Sequence, residues 1–237
     1  MCNDPNRLQF KGGNPGAVQF GNFINYYQFH SPDDRIKLLP ENIWNIESTC
    51  IALDVGCNAG NLTVALRDFL LNRSSKDSSI LGIDIDPLLI DRAKELAADN
   101  VTFTCLDIMD ESERNEIINN FLLSKEKERF SIVFCFSTSM WIHLNYGDEG
   151  LKSFLKYLCS VTDTLVLEAQ PWKCYKTAVK RMKQNNFTFP EFGKLKLREN
   201  IESDIQTILT NDCNMIKLFE SDKNAWDRKL LIFKRKS

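Results

Sequence analysis

Hydrophobic and polar positions follow two rhythms along this chain. Short, continuous apolar runs occur at 50–55, 80–85, 101–106, 130–136 and 163–168. Runs of this length, rich in β-branched residues, predict strands buried on both faces. Between them, apolar residues recur at helical spacing over Leu62–Leu71, Pro87–Ala98, Glu113–Ser124 and Gly150–Ser160. Strand and helix in turn predict a parallel sheet with helices on both faces. Near the end the rhythm changes. Met215–Glu220 and Asp227–Lys234 predict two strands and a short turn, an antiparallel hairpin closing the sheet. The expected fold class is α/β and Rossmann-like, with a mostly parallel seven-stranded sheet. Residues 72–79 predict a polar surface loop. Before the first strand, Ser31 is an N-cap candidate, Pro32 suits the first helical position and Asp33 and Asp34 follow. A short helix is expected there, over the ligand end of the sheet.

The chemistry gathers where the strands end. Cys50-Ile51-Ala52-Leu53-Asp54-Val55-Gly56-Cys57-Asn58-Ala59-Gly60 is a buried strand running through two glycines into a helix. In open α/β sheets such a loop holds a nucleotide-like ligand, and glycine lets backbone approach it closely. A dinucleotide fingerprint would read G-x-G-x-x-G and cradle a pyrophosphate. Here the spacing is Gly56-x-x-x-Gly60, with Asn58 in the middle. Asp54 would repel a pyrophosphate but suits a cationic or zwitterionic ligand. S-adenosylmethionine, with its sulfonium and ammonium, fits better.

The next strand ends in Asp84-Ile85-Asp86-Pro87. Asp84 can accept two hydrogen bonds from a ribose diol, and Asp86 can cap the following helix. The third strand ends at Asp107-Ile108, an acid for an adenine amino group beside a backbone N–H. Three acids at three successive strand ends line one edge of the sheet. Residues 137–148 read as a loop mixing Trp141, His143 and Asn145 on that edge, or as a loop packing Trp141 into the core. Trp172 and Lys173 follow the fifth strand, and Lys173, Lys176, Lys180 and Lys183 share one helix face. A basic stripe there suits an RNA backbone, or is a solvated face. Residues 20–30 are unusually aromatic and predict a flap over the site.

With 237 residues, 43% hydrophobic, the chain suffices for one α/β domain and is short for two. The expected organisation is a disordered segment over 1–16 and a single domain over 17–237, with 17–40 as flap and helix. No apolar run approaches the ~20 residues of a membrane span. A net charge of −2 argues against a broad basic surface. The eight cysteines include no C-x-x-C pair and there are two histidines, so no metal is expected. Free cysteines in apolar strands suggest a reducing compartment; the expected location is cytoplasmic.

Taken together, Gly21-Asn22-Phe23…Tyr26, Leu53-Asp54-Val55-Gly56-Cys57-Asn58, Asp84-Ile85-Asp86, Trp141-Ile142-His143-Leu144-Asn145…Gly147-Asp148 and Gln170-Pro171-Trp172 resemble the bicoid-interacting family of RNA 5′-phosphate methyltransferases. The resemblance runs from Gly21 to about Phe233. It implies a class I methyltransferase fold, S-adenosylmethionine as cofactor, and a monomer acting on RNA. Within the family the chain is similar to the branch methylating RNA 5′-monophosphates, on histidine tRNA and less efficiently on microRNA precursors. The triphosphate-capping branch carries a lysine before the tryptophan and an arginine at the position of His30. Met140 and His30 stand there in this chain, offering less positive charge, as suits a smaller anion. Ala169 departs from the family's Glu-Pro-Gln-Pro-Trp without removing a chemical group. By resemblance, Arg35 pairs with the methionine carboxylate and Asn58 lies along that part. Asp54 and Gly56 shape the pocket, Asp84 holds the ribose, Asp107 and Ile108 the adenine, and Phe136 contributes backbone. Tyr26, His30, His143, Asn145 and Lys173 are the candidates for clamping the phosphate, and Trp141, Trp172, Lys176 and Lys180 for contacting RNA. The alternatives are an inactive RNA-binding module, a small-molecule O-methyltransferase and, weakest given Asn58, a nicotinamide-dependent reductase.

Overall fold

All seven expected strands form in the computed structural model, which describes residues 8–44, 49–73, 78–96 and 98–236. They are β1 (Cys50–Val55), β2 (Ser78–Asp84), β3 (Val101–Cys105), β4 (Phe130–Phe136), β5 (Thr162–Glu168), β6 (Met215–Glu220) and β7 (Leu230–Arg235). One sheet results, in the order β3-β2-β1-β4-β5-β7-β6. β1 to β5 are parallel, and β7 runs antiparallel to both β5 and β6. The helices are α1 (Tyr26–Phe29), α2 (Pro32–Ile36), α3 (Asn61–Leu71), α4 (Pro87–Lys94), α5 (Glu111–Ser124), α6 (Ser139–Ser160), α7 (Trp172–Gln184) and α8 (Ile201–Asp212).

β1 explains why the central runs are apolar throughout rather than alternating. Ile51, Leu53 and Val55 join the hydrophobic cluster on one face of the sheet, whereas Cys50 and Ala52 join the cluster on the other. A strand covered on both faces has no solvent side to mark with polar residues. β1 also stands where strand order reverses, with β2 on one flank and β4 on the other. The crevice beyond the carboxyl ends at such a point is the ligand position of open α/β sheets.

Several elements depart from expectation. α6 begins at Ser139, so most of the anticipated loop over 137–148 is helix. Met140 and Leu144, four residues apart, are buried together with Trp141, and this apolar stripe outweighs the polar residues between them. Gly147, at φ 71°, kinks the helix before it continues to Ser160. α8 was not expected; Ile201, Ile205, Ile208 and Leu209 form its buried face. α4 stops at Lys94, short of Ala98. β2 starts at Ser78, inside the predicted polar loop, whose residues 74–77 lie outside the described residues. Ser31 makes no side-chain capping bond to α2.

Of the lead-in expected to be disordered, residues 1–7 lie outside the described residues. Residues 8–16 are among the described residues. Lys11–Gly13 form a 3₁₀ turn, the Lys11 N–H donates to the Ala17 carbonyl at 2.9 Å, and Phe10 packs against the main cluster. Burying the Phe10 ring offsets the entropy of ordering this stretch. Among the described residues no helix is long and apolar enough to cross a membrane.

Candidate active site

The loop after β1 is built around two backbone requirements. Gly56 sits at φ +77°, and a Cβ there would come 2.3 Å from Thr138 Oγ1. The Gly56 and Cys57 N–H groups donate to the Ile83 carbonyl at 2.8 and 2.9 Å, which ties the loop to the end of β2. Asp84 completes the link. Its Oδ2 accepts the Asn58 N–H at 2.9 Å and its Oδ1 the Asp86 N–H at 3.0 Å. Asp86 in turn caps α4 through the Leu88 N–H and accepts from Asn22 Nδ2 at 2.8 Å. Asp86 thus takes the capping role, and Asp84 ties the β1 loop to the end of β2. Gly56, Asn58, Asp84, Asp107, Ile108 and Phe136 line a cavity at this edge, roofed by Phe20, Gly21, Tyr26 and Trp141.

Asp54 is not among the cavity's lining residues. Its carboxylate turns to α3 and accepts from Thr63 Oγ1 at 2.7 Å, so its direct contribution is to fix α3 against β1. Burial pushes the carboxyls of Asp54 and Asp84 up to about 6, against the lowering hydrogen bonds from Thr63, Asp86 and Asn58. Between pH 4 and 6 the ligand-free protein then holds protons that the unfolded chain has released. These two groups make folding stability fall as pH rises through that window and level off above it. A cationic ligand, or one donating to Asp84, favours the ionised forms. Cofactor binding is therefore expected to release protons near pH 6 and to weaken on acidification below it. Calorimetry in buffers of different ionisation enthalpy checks this; proton uptake at pH 6 would contradict it.

The aromatic flap forms and is anchored. Gly21 stands at φ +79°, with any Cβ 2.3 Å from the Trp141 indole nitrogen, so glycine is what lets the flap lie on that ring. Phe23 meets Trp141 edge-on at 5.7 Å, and the Phe23 carbonyl accepts from Asn58 Nδ2. Asn145 exchanges hydrogen bonds with Gln19, Oδ1 accepting from Nε2 at 3.0 Å and Nδ2 donating to the backbone at 2.8 Å. Tyr26 and His30 stack 4.5 Å apart and nearly parallel.

Beneath the flap lies a buried charge cluster. Arg35, 1% exposed, places its guanidinium on the Glu168 carboxylate at 3.0 Å, on Tyr26 Oη at 2.6 Å and on Ser137 Oγ at 2.9 Å. Arg228 reaches the same Glu168 oxygen at 3.3 Å and the same Ser137 hydroxyl at 2.6 Å. Burial alone would raise the Glu168 carboxyl, but the two guanidiniums and the Ser137 hydroxyl hold it below its usual range. Two cations on one anion leave one positive charge over. Burial and then the nearby Arg228 and Arg35 charges lower the His30 imidazole to about 4, so it is neutral at pH 7. A second cavity of about 950 Å³ opens here, lined by Tyr26, His30, Met140, Trp141, Gln170, Lys173, Arg181 and Arg228 among others.

Several expected site residues sit elsewhere. His143 is fully buried on α6, its ring held by Asp148 Oδ1 at 2.8 Å and the Tyr175 hydroxyl at 3.1 Å, and it lines neither cavity. Burial also lowers its pKa, despite the Asp148 bond that raises it. Asn145 is committed to the flap and to the Trp141 carbonyl. Trp172 stacks on Phe192 at 5.4 Å and leans on Tyr175. Lys176 and Lys180, with Lys183, line a separate open groove on α7. Lys173 borders the larger cavity while paired with Asp227 at 2.6 Å. Arg35 has Glu168 as a carboxylate partner. Glu168, Ser137 and Arg228 were not singled out from the sequence. Glu168 carried a signal as an acid at a strand end, and Ser137 opens the segment after β4. Arg228, in the β6–β7 connection, carried none.

The lining of the first cavity fits S-adenosylmethionine chemically: the carboxylates of Asp84 and Asp107 can accept from hydroxyl and amino groups, and Gly56 brings backbone close where a Cβ would collide with Thr138. N-methyltransferase NodS from Bradyrhizobium japonicum WM9, solved in complex with S-adenosyl-l-homocysteine, superposes with a TM-score of 0.51 at 13% identity, over 90% of this chain and 100% of that one. Fold and site define a class I, S-adenosylmethionine-dependent methyltransferase. The family model for Bicoid-interacting protein 3 (Bin3) matches residues 130–235. A Xenopus laevis relative, pre-miRNA 5′-monophosphate methyltransferase, is 41% identical over 93% of this chain and 93% of its own. The human RNA 5′-monophosphate methyltransferase is 38% identical, over 94% and 82%. The chain belongs to the Bin3 family.

Proposed function

We propose that this chain methylates the 5′-monophosphate of RNA, with histidine tRNA as the first candidate substrate and microRNA precursors as the second. The observation that carries the reading is that the two cavities share Tyr26 and Trp141. A donor on the acid-lined side and an anion on the cationic side would meet at that wall, which is what a transfer between atoms about 3–3.5 Å apart requires. When bound, the cofactor would supply an electrophilic methyl on a sulfonium, with the neutral thioether as leaving group for a phosphate-oxygen nucleophile.

The protein's task is then mostly positioning. A 5′-phosphate has a second pKa of about 6, so at pH 7 it is already an anionic nucleophile. A His30 lowered to about 4 is suited to hydrogen bonding rather than to proton abstraction. The single surplus charge of the Arg35–Glu168–Arg228 cluster, beside the uncharged Met140, matches a monoester better than a triphosphate. Lys176, Lys180 and Lys183 offer backbone contacts for nucleotides beyond the first. The relatives' activities point the same way. The test is transfer of labelled methyl to one RNA bearing a 5′-hydroxyl, monophosphate or triphosphate end. Only the monophosphate should accept; equal transfer to all three, or to none, overturns the reading.

A further inference from the structure

Three side chains that line the larger cavity each carry a buried polar atom with no hydrogen-bond partner among the described residues: Arg228 Nε, His30 Nδ1 and Gln170 Oε1. Arg228 is 8% exposed and Gln170 is 2% exposed, so these are groups that folding has taken out of water. An unmet buried donor or acceptor costs stability, and more when it is charged. One such atom is ordinary; three around one cavity describe the polar outline of a ligand.

We propose that Arg228 is the anion-binding residue of the acceptor site, receiving the 5′-phosphate of the terminal nucleotide through its Nε–H. The division of labour among the cations supports this. Arg35 gives its Nε and one terminal nitrogen to Glu168, Tyr26 and Ser137. Arg228 places its Nη1 on Ser137 and Glu168 and also engages the Tyr26 hydroxyl, while its Nε has no hydrogen-bond partner among the described residues. Lys173 is exposed and shares Asp227 with Lys223, and Arg181 is exposed at the rim, so water screens both more than it screens Arg228. The surplus charge of the cluster is thus directed into the cavity from Arg228, next to His30, whose neutral Nδ1 can donate a second hydrogen bond. Gln170 Oε1 asks for a donor. A phosphate dianion has none, whereas a nucleotide carries sugar hydroxyls. That contrast, and a volume of about 950 Å³, favour a whole nucleotide over a free phosphate ion.

This inference rests on the RNA 5′-monophosphate reading, and the test separates the two. The protein is labelled with ¹⁵N, and the Nε–H resonance of Arg228 is assigned by its loss in Arg228→Lys, or by through-bond correlation should that variant not fold. A 5′-phosphorylated dinucleotide should shift the resonance at saturation. Inorganic phosphate should act only at higher concentration, and the 5′-hydroxyl dinucleotide not at all. In kinetics, folded Arg228→Lys should raise the KM for 5′-monophosphate RNA about tenfold or more, because lysine lacks the planar fork. The Kd for S-adenosylhomocysteine should stay within about twofold. An unmoved Nε resonance, or an unchanged KM in a folded variant, overturns the role of Arg228 while leaving an active wild type intact. A wild type inactive on every 5′ end overturns the broader reading instead.

Discussion

Glu168→Ala should destabilise the protein by about 3–5 kcal/mol, the cost of removing one partner from a buried ion pair. Two guanidiniums depend on this carboxylate. Arg35 is 1% exposed and Arg228 8%, so neither can turn to water without disrupting the fold. The Ser137 hydroxyl and Asn224 Nδ2 also donate to it, at 2.5 and 3.0 Å, and would lose their acceptor. For a chain of this length each kcal/mol lowers Tm by roughly 2–4 °C. Glu168→Gln keeps the shape and removes the charge, and should recover only part of the loss. A thermal melt of Glu168→Ala within 2 °C or so of wild type would show that the two cations do not rely on Glu168.

Asp84→Asn should weaken cofactor binding by about 100-fold or more. A carboxylate at this strand end can accept two hydrogen bonds from a diol, and bonds to a charged group contribute about 1.5–3 kcal/mol each. At 1.4 kcal/mol per tenfold, the loss of one strong bond or two weaker ones reaches that size. The amide also brings an N–H toward the Asn58 or Asp86 N–H, both of which now donate to Asp84. Protonation should mimic the substitution in part. With its carboxyl near 6, wild-type Asp84 loses its charge in mild acid, and the affinities of wild type and variant should converge as pH falls below that value. Calorimetric titration with S-adenosylhomocysteine measures both effects. A variant Kd within about threefold of wild type at pH 7.5 would remove Asp84 from the ribose-binding role.

The cofactor edge was legible because its signals are local. An apolar run, a glycine at positive φ and an acid at a strand end each fit within a dozen residues, and the parallel topology then brings the three strand ends together. The acceptor side was legible only in part. His30 and Lys173 do border the larger cavity, but His143 does not, although it stands in a motif characteristic of the family. Its place is set by Asp148, five residues on, and by Tyr175 on a different helix, which together draw the ring into the core. Asn145 has a comparable history: its amide matches the Gln19 backbone and side chain across 126 residues, and so it fastens the flap. α6 was misread as a loop because polar residues interrupt an apolar stripe whose burial is visible only once the sheet is in place.

By itself, the sequence determined the strands and their parallel or antiparallel direction, the glycine turn after β1 and the family. Continuous apolar runs, period-3.6 patterning, turn chemistry and strand-end acids are properties of residues close in sequence, so they survive in one dimension. Only the tertiary structure decided which charged side chains face the acceptor. Arg228 lies in an unremarkable Asp-Arg-Lys turn, and nothing near it predicts that Glu168, 60 residues earlier, will hold it beside Arg35. Charge balance in a buried cluster depends on every member brought into contact, and those contacts arise from the antiparallel pairing of β5 with β7.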